Sequence, residues 1–170
     1  MSGPHTLAET ERTAEARIAG LHVDNEAMSV ISNLFRAANS VRNFMESEVL
    51  AKVDLTWTAF VVLWISWIWG SAETRMIAEE SGVSKATLSG VLNTLEKRNL
   101  VTRKRSAEDG RLVLVTLTPA GKRMITQVFP QINEAETAAV SLLGVRERTQ
   151  AAECLRKLVL ATSPAPEALD

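Results

Sequence analysis

The chain contains few of the residues on which the chemistry of small proteins often depends. Its 170 residues include one cysteine, two histidines and no tyrosine. One cysteine excludes a disulfide framework, and the histidines, His5 and His22, are too few and too poorly placed for a metal site. No Ser–His–Asp set, carboxylate dyad or phosphate-binding loop is recognisable either. We therefore expect neither a metal nor a cofactor, and we predict that the chain is not an enzyme.

A long hydrophobic run is also missing. The most apolar stretch, residues 57–69, is interrupted by Thr58 and Ser66. It is shorter than the roughly 20 apolar residues that a membrane-spanning helix needs. Residues 1–21 carry several glutamates and no apolar segment, unlike a signal peptide. We expect a cytoplasmic protein with no membrane partner, in which residues 57–69 form a buried central helix.

The chain as a whole also lacks the excess of basic charge that is common in nucleic-acid-binding domains. The 19 basic and 20 acidic residues leave a net charge of −1. The charge is unevenly distributed, however, because residues 75–123 carry ten basic and five acidic side chains, a net +5, and the rest of the chain carries −6. Since basic side chains neutralise DNA phosphates, the central segment is a candidate for binding double-stranded DNA.

Two long helices are predicted on either side of this segment. Apolar residues at spacings of three and four indicate a helix over residues 24–50. After the central segment, Pro119 suits the first turn of a helix that runs to about residue 143. We expect Pro130 to bend that helix.

The ends of the chain carry weaker signals. Residues 1–23 are predicted to form an N-terminal arm with an Ala-rich, charged helix at 6–20. A last helix is predicted over residues 146–160, and Cys154 lies on its apolar side, where we expect a buried structural thiol. Residues 163–170 are expected to be a loose tail.

Within the central segment, the pattern predicts two helices joined by a tight turn. Thr74 is a plausible cap for a short helix over residues 75–81, and Gly82 suits the left-handed position that closes it. Ser84 suits the cap of a second helix over residues 85–98. Two helices joined by a short turn with glycine are typical of a helix-turn-helix.

The hydrophobic period then changes from that of a helix to that of a strand. Residues 100–105 and 111–118 are strand-like, and Asp109-Gly110 between them is a strong hairpin signal. The predicted fold is mainly α with a small β-hairpin wing, and its winged helix-turn-helix lobe covers residues 55–118.

One face of the second helix carries side chains suited to reading DNA. Apolar residues at positions 88, 91, 92 and 95 predict the inward face. The outward face then presents hydroxyl, amide and ammonium groups, which reach base edges and phosphates in a major groove. Such residues also occur on ordinary solvated helices, so both interpretations stand. The candidate DNA contacts on this helix are Ser84, Lys85, Thr87, Ser89 and Asn93.

The predicted wing is strongly basic. Arg103, Lys104 and Arg105 precede its turn and Arg111 follows it. Arginine suits a narrow minor groove, where the potential is most negative. Asp109 cannot attract phosphate, so we expect it to hold Arg111 by a charge-assisted hydrogen bond. These five residues complete the predicted DNA-binding set.

Together these segments resemble the MarR family of bacterial transcription regulators. The resemblance covers about residues 24–160. It is carried by the motifs IAEESGVSKATLS (77–89), LEKRNLV (95–101), DGR (109–111) and LTPAG (117–121).

The resemblance implies a homodimer in which residues 24–54 and 119–162 form the interlocking dimerisation region. It implies a pseudo-palindromic operator and release by small phenolic or carboxylic ligands. Residues at the motif positions, Ser84, Lys85, Thr87 and Ser89, would be recognition-helix contacts, and Arg111 would enter the minor groove. Many relatives carry arginine where this chain has Gly90 and Thr94, which departs from the family pattern.

Aromatic residues are scarce but concentrated. All four tryptophans lie within residues 57–69. Trp57, Phe60 and Trp64 share one helical face, which indicates either core packing or an aromatic-lined ligand pocket. Asn39 and Arg42 on the preceding helix are possible polar partners for a ligand.

The sequence thus predicts a dimeric repressor that a small aromatic or phenolic acid releases from DNA. Two alternatives are an enzyme and a dimeric interaction module that does not bind DNA, either of them using the Trp-rich cavity.

Overall fold

The structure, a computed structural model, describes residues 5–107 and 109–163. The predicted mainly α fold with a small β-sheet is confirmed, and so is the winged helix-turn-helix. In chain order the elements are α1 (Leu7–Ile18), α2 (Asn25–Glu48), a 3-10 helix (Leu50–Val53), α3 (Trp57–Trp69), β1 (Ser71–Glu73), α4 (Thr74–Ser81), α5 (Lys85–Lys97), β2 (Val101–Arg105), β3 (Val113–Leu117), α6 (Pro119–Ala139) and α7 (Val145–Thr162).

The wing is part of a sheet with three strands. Strand β3 lies between β1 and β2 and is antiparallel to both. Val101 pairs with Leu117 in the wing, and Ser71 pairs with Thr116 at the other edge. The sequence did not predict β1, because a strand of three residues is too short to show the alternation that identifies strands.

The core surrounds α3. Val62 and Leu63 of this helix are fully buried, together with Ile77 of α4 and Leu95 of α5. Among the described residues, every buried hydrophobic side chain lies between positions 45 and 135. Neither α1 nor α7 has a buried residue. One chain therefore builds the core of the winged lobe but none around its terminal helices.

The junction between the wing and α6 requires a glycine. Thr118 caps α6 by accepting the backbone N–H of Gly121 at 3.0 Å, and its hydroxyl donates to the carbonyl of Asn99 at 2.6 Å. A Cβ at position 121 would lie 2.0 Å from the carbonyl oxygen of Leu100. The start of α6 therefore lies directly against Leu100, in the connection between α5 and β2, and the glycine of the LTPAG motif has a steric reason.

The terminal helices correct one prediction. Cys154 is exposed on α7, not buried. The apolar side of α7 was predicted, but no element within residues 5–107 and 109–163 covers it. Helix α1 docks on α2 through Glu11, which lies 3.3 Å from the guanidinium of Arg36.

The structure corrects three further predictions, on the start of α4, the end of α6 and the burial of α3. Thr74 is the first residue of α4, and Glu73, at the cap position, forms no side-chain cap because β1 leads directly into the helix. Helix α6 runs through Pro130 and ends at Ala139, since residues 140–144 turn towards α7. Helix α3 is buried over most of its length, but its end is exposed, at Trp67, Ile68 and Trp69.

Three further predictions concern membrane-spanning helices, metal sites and the C-terminal tail. No helix within residues 5–107 and 109–163 is long and apolar enough to span a membrane. In the same ranges no group of three or more His, Cys, Asp or Glu side chains is arranged to hold a metal ion. The predicted tail lies, beyond Ser163, outside the described residues.

Candidate nucleic-acid interface and effector cavity

Helix α5, which we call the recognition helix, begins at a capped end. Ser84 Oγ accepts the backbone N–H of Thr87 at 3.1 Å and shares a hydrogen bond with Thr87 Oγ1 at 2.9 Å. Gly82 ends α4 in the left-handed conformation, with φ of 64°. Both helix-turn-helix signals are therefore confirmed, and the hydroxyls of Ser84 and Thr87 are used locally while both residues stay exposed.

A groove of about 330 Å³ lies between the recognition helix, the start of α4 and the wing. Lys85 and Ser89 line it from the recognition helix, and Arg111 lines it from the wing. Arg75 of α4, which the sequence did not single out, also lines it and is hydrogen-bonded to Glu79 at 2.8 Å. The groove thus brings together cations from α4, the recognition helix and the wing, as a surface for phosphate requires, although the carboxylate of Glu73 also lines it.

Arg103 also lines this groove, but unlike the other wing cations it is bound to the recognition helix. Glu96 of the recognition helix accepts the Arg103 backbone N–H at 3.0 Å and its Nε–H at 2.9 Å. Asn93 Oδ1 accepts a second guanidinium hydrogen bond at 2.6 Å. The hydrogen bond from Arg103 holds the pKa of Glu96 below its usual range. Arg103 and Asn93, both predicted DNA contacts, thus bind each other and join the wing to the recognition helix.

At the wing tip, Arg111 is held by Asp109, as predicted. Asp109 Oδ1 accepts the Arg111 backbone N–H at 2.9 Å, and Oδ2 accepts an Nη2–H at 3.0 Å. The side-chain hydrogen bonds lower the pKa of Asp109 and raise that of Arg111. The Arg111 side chain is still 90% exposed, so its orientation is fixed while its outer surface stays accessible. Lys104 and Arg105 are also exposed on β2.

A second cavity, of about 320 Å³, lies between α2 and α3. It brings together three predicted ligand-binding residues, Asn39, Arg42 and Trp57. Arg42 donates to Asn39 Oδ1 at 2.9 Å. No carboxylate lies within ion-pair distance of Arg42 in the described part of the chain.

The other two predicted ligand-binding residues lie outside this cavity. Phe60 is buried in the core, with its ring centroid 5.7 Å from that of Trp57. Trp64 stacks on Phe129 of α6, with centroids 4.4 Å apart, and contacts Trp67. Because α6 packs along the end of α3, Trp64 is drawn into that contact and away from Trp57. Phe60 and Trp64 therefore pack as core residues, whereas Trp57 lines a cavity, and a ligand in that cavity stays a prediction.

The sequence did not indicate two residues that connect α2 and the 3-10 helix to the winged lobe. The carboxylate of Glu46 on α2 accepts the backbone N–H of Trp57 at 2.7 Å and so helps Thr56 cap α3. Arg98, the residue after the recognition helix, donates to the carbonyl of Val53 at 3.0 Å. Each contact spans a long sequence separation, so no local pattern could have indicated it.

Exposed apolar side chains occur on α2, on α7 and in the loop before α7. On α2 they include Phe35, which is 65% exposed, and on α7 they include Leu155 and Val159, which are 47% and 62% exposed. The loop between α6 and α7 adds Leu142, at 96%. Exposed apolar surface of this extent on one chain is typical of a protein interface.

Comparison with known proteins identifies relatives across most of the chain. The MarR family model matches residues 55–113. An uncharacterized HTH-type transcriptional regulator of Bacillus subtilis, YwaE, is 41% identical over 133 residues, which cover 78% of each chain.

Solved structures show the same fold. Bordetella bronchiseptica BpsR, whose DNA binding is regulated by 6-hydroxynicotinic acid, is 27% identical, with a TM-score of 0.70 over 76% of this chain and 98% of that one. A mutant of Escherichia coli MarR in complex with operator DNA is 20% identical, with a TM-score of 0.72 over 79% of this chain and 96% of that one.

Proposed function

The chain belongs to the MarR family of transcriptional regulators, and we propose that it is a repressor that binds a pseudo-palindromic operator as a homodimer and leaves it when a small aromatic acid binds. Regulators of this family bind DNA and are not enzymes, so the prediction against catalysis was right and the enzyme alternative is dropped.

The observation that carries the proposal is the shared groove of Lys85 and Arg111. When the recognition helix lies in a major groove, its Lys85 and Ser89 face base edges and phosphates. The wing then reaches the neighbouring minor groove, where Arg111 meets the strongest negative potential. Because Asp109 already fixes the Arg111 side chain, little conformational entropy is lost when it binds.

Removing both cations tests this role. In Lys85→Ala/Arg111→Ala the affinity for operator should fall at least about a hundredfold, because each dimer loses four groove contacts. An operator for the assay is first selected from random duplexes with the wild-type protein, and binding is measured by fluorescence anisotropy of labelled DNA at fixed salt.

The matched control is Arg12→Ala/Arg17→Ala, which removes the same charge from α1. It should bind like the wild type and should dimerise like it. An unchanged affinity in the Lys85→Ala/Arg111→Ala variant would exclude this surface as the DNA-binding site.

The homodimer is inferred from the apolar surface of α2 and α7. Helix α7 has 18 residues and none is buried, so its apolar side needs a cover from outside the chain. A second copy provides the same apolar surface and allows a closed two-fold contact. The two recognition helices should then lie about 34 Å apart, one turn of DNA.

The effector site that we infer is the cavity between α2 and α3. Arg42 provides a guanidinium for a carboxylate, and the ring of Trp57 provides an apolar wall for an aromatic ring. A relative whose DNA binding responds to 6-hydroxynicotinic acid supports this ligand class. The cavity adjoins the dimerisation helix α2. A ligand that binds more tightly to a dimer whose lobes are spaced differently therefore lowers the affinity for DNA. The loss is set by the difference in the ligand's binding free energy between the two spacings.

The effector proposal is tested by titrating the protein–operator complex with a panel of aromatic acids that includes 6-hydroxynicotinic acid. At least one acid should release the wild-type protein, and Arg42→Ala should bind operator normally but resist release. Arg36→Ala, on the same helix but paired with Glu11, is the control and should respond normally. Release that is unaffected by Arg42→Ala, or absent with every acid, would contradict the proposed site.

A further inference from the structure

Arg98 forms a direct link between the recognition helix and the dimerisation helix. Its Nη2 donates to the carbonyl of Val53 at 3.0 Å, and its Nη1 donates to the carbonyl of Asp54. These carbonyls end the 3-10 helix that continues α2, immediately before α3 begins. One guanidinium therefore joins two parts of the chain that are 44 and 45 residues apart.

The chemistry of this link favours a fixed geometry. The last carbonyls of a helix have no partner within the helix and carry partial negative charge. A guanidinium satisfies two of them at once with its planar donors. Arg98 keeps only 27% of its side chain exposed, so the hydrogen bonds are partly shielded from water. The Asp54 carboxylate, 3.8 Å away and 96% exposed, adds little because solvent screens it.

Next to Arg98, the recognition helix is not packed tightly against α3. A groove of about 360 Å³ separates the two helices, with Gly90 and Thr94 on one side and Thr56 and Ala59 on the other. A Cβ at Gly90 would have no atom within 4 Å, which shows how open this edge is. Arg98 and Asp54 both line this groove, so their hydrogen bond spans its open side, whereas buried side chains such as Leu95 pack the helix on its inner side.

The backbone at both ends of the link is unusual. Asp54 has φ of 53° and Asn99, the residue after Arg98, has φ of 55°. Both are left-handed conformations that non-glycine residues adopt rarely. The turns on either side therefore direct Val53, Asp54 and Arg98 towards each other.

We propose that Arg98 is a positioning residue that fixes the orientation of the recognition helix relative to α2, and so sets the separation of half-sites that the dimer accepts. The inference rests on the proposed function, because it requires a dimer that reads two half-sites. The proposed role of Arg98 involves no contact with a base. Arg98 acts by holding α5, and it makes the protein selective for operator spacing.

The test measures affinity as a function of half-site spacing. A symmetric operator is selected from random duplexes with the wild-type protein, and base pairs are then inserted or removed at its centre, one at a time. Wild-type protein should lose at least about tenfold in affinity for a change of one base pair, which rotates and shifts one half-site against the other. Arg98→Ala should bind the best spacing about tenfold more weakly, the loss expected for a charge-assisted hydrogen bond, but should discriminate between spacings only about twofold.

Two further variants keep the result interpretable. Arg98→Lys retains the charge but cannot bridge two carbonyls in the same plane, so its spacing profile should lie between those of wild type and Arg98→Ala. Lys97→Ala removes a neighbouring exposed cation from the same helix end and should retain the wild-type profile. The active fraction and the dimer mass of each variant are measured, so that partial unfolding is not mistaken for altered selectivity.

The outcomes separate the two proposals. If wild-type protein selects no symmetric site, the proposed function fails, and this inference fails with it. If wild-type protein selects one and both Arg98 variants keep its steep spacing profile, the positioning role alone is wrong. A uniform loss of affinity at every spacing in both variants, with the wild-type profile retained, would likewise reduce Arg98 to a stability role.

Discussion

The winged lobe and the terminal helices differ in how much of their structure a single chain completes. The lobe has its own core, in which residues such as Leu63 and Ile77 are fully buried. Helices α1 and α7 have no buried residue, although α7 carries leucine and valine at core-like spacing. The same sequence thus produces one region with a core of its own and another whose described residues have none.

This difference separates stability from assembly. Substitutions in the lobe should act on folding of the monomer unit, whereas substitutions on α7 should act on association. In the proposed dimer, DNA binding depends on both, because two lobes must be held at one spacing. Variants that alter one region at a time therefore distinguish the two roles.

The largest effect is expected on α7. Leu155→Lys should weaken dimerisation at least about a thousandfold, because each dimer would bury two unpaired charges in an apolar contact. Operator binding should be lost while the far-ultraviolet circular dichroism of the lobe is kept. Dimer dissociation is measured by analytical ultracentrifugation.

The control for this variant is Gln150→Lys, which adds the same charge on the polar side of α7. It should dimerise like the wild type. If Leu155→Lys also remained a dimer at micromolar concentration, the exposed apolar side of α7 would not be the dimer interface.

The next effect is expected where the lobe meets α6. Gly121→Ala should lower the free energy of unfolding by about 3 kcal/mol, since its Cβ would overlap the carbonyl of Leu100. Gly90→Ala is the matched control, because its Cβ meets nothing and alanine favours a helix by up to about 1 kcal/mol over glycine. Urea denaturation of both variants measures the difference, and equal stabilities would contradict the close approach at Gly121.

The third prediction concerns a variant that should raise the affinity of the winged lobe for DNA and leave the terminal helices unchanged. Gly90→Arg places a long cation in the open space beside the recognition helix. Affinity for DNA should rise about tenfold, and the salt dependence should steepen by about one ion per added contact. Gly90→Glu should show the opposite change, and salt titrations that leave both variants parallel to wild type would place position 90 away from DNA.

The smallest effect concerns pH and the contact between wing and recognition helix. The pKa of Glu96 is depressed in the folded chain by Arg103, so its carboxylate contributes stability in full above the ordinary pKa of glutamate. That contribution declines as the pH falls below the ordinary value and is gone below the depressed one. Both side chains are about one-third exposed, so the contribution is less than about 1 kcal/mol.

The measurement compares wild type with Glu96→Gln in thermal unfolding from neutral to acidic pH. Wild type should be the more stable protein at neutral pH, and the difference should vanish in acid. A difference that is independent of pH would mean that ionisation of Glu96 does not contribute.

The sequence predicted what local patterns encode. The bounds of α3 were predicted to the residue, because Thr56 and Gly70 mark its ends. Gly82, Ser84 and Pro119 likewise mark the helix ends at which the structure has them. What the sequence did not reveal depends on distant partners. Strand β1 exists because β3 pairs with it, and Cys154 is exposed because none of the described elements covers its side of α7.

The candidate site shows the same limit. Spacing placed Lys85, Ser89 and Arg111 on one surface, because helix and hairpin geometry fix which way these side chains point. It also assigned Arg103 to DNA, but Glu96 competes for its guanidinium, and no periodicity identifies that competitor. The pairing of Trp64 with Phe129 depended on how α6 packs, which only the fold determines.

The tryptophans of α3 have an optical consequence. Because the chain has no tyrosine and all four tryptophans lie on one helix, its near-ultraviolet emission comes from α3 alone. Trp57 lines the cavity beside Arg42, Trp64 is stacked on Phe129, and Trp69 is exposed to water. The emission spectrum therefore combines signals from tryptophans in the proposed effector cavity, in the packed core and at the solvent-exposed end of α3. Quenching and spectral shifts can follow each of them without a label.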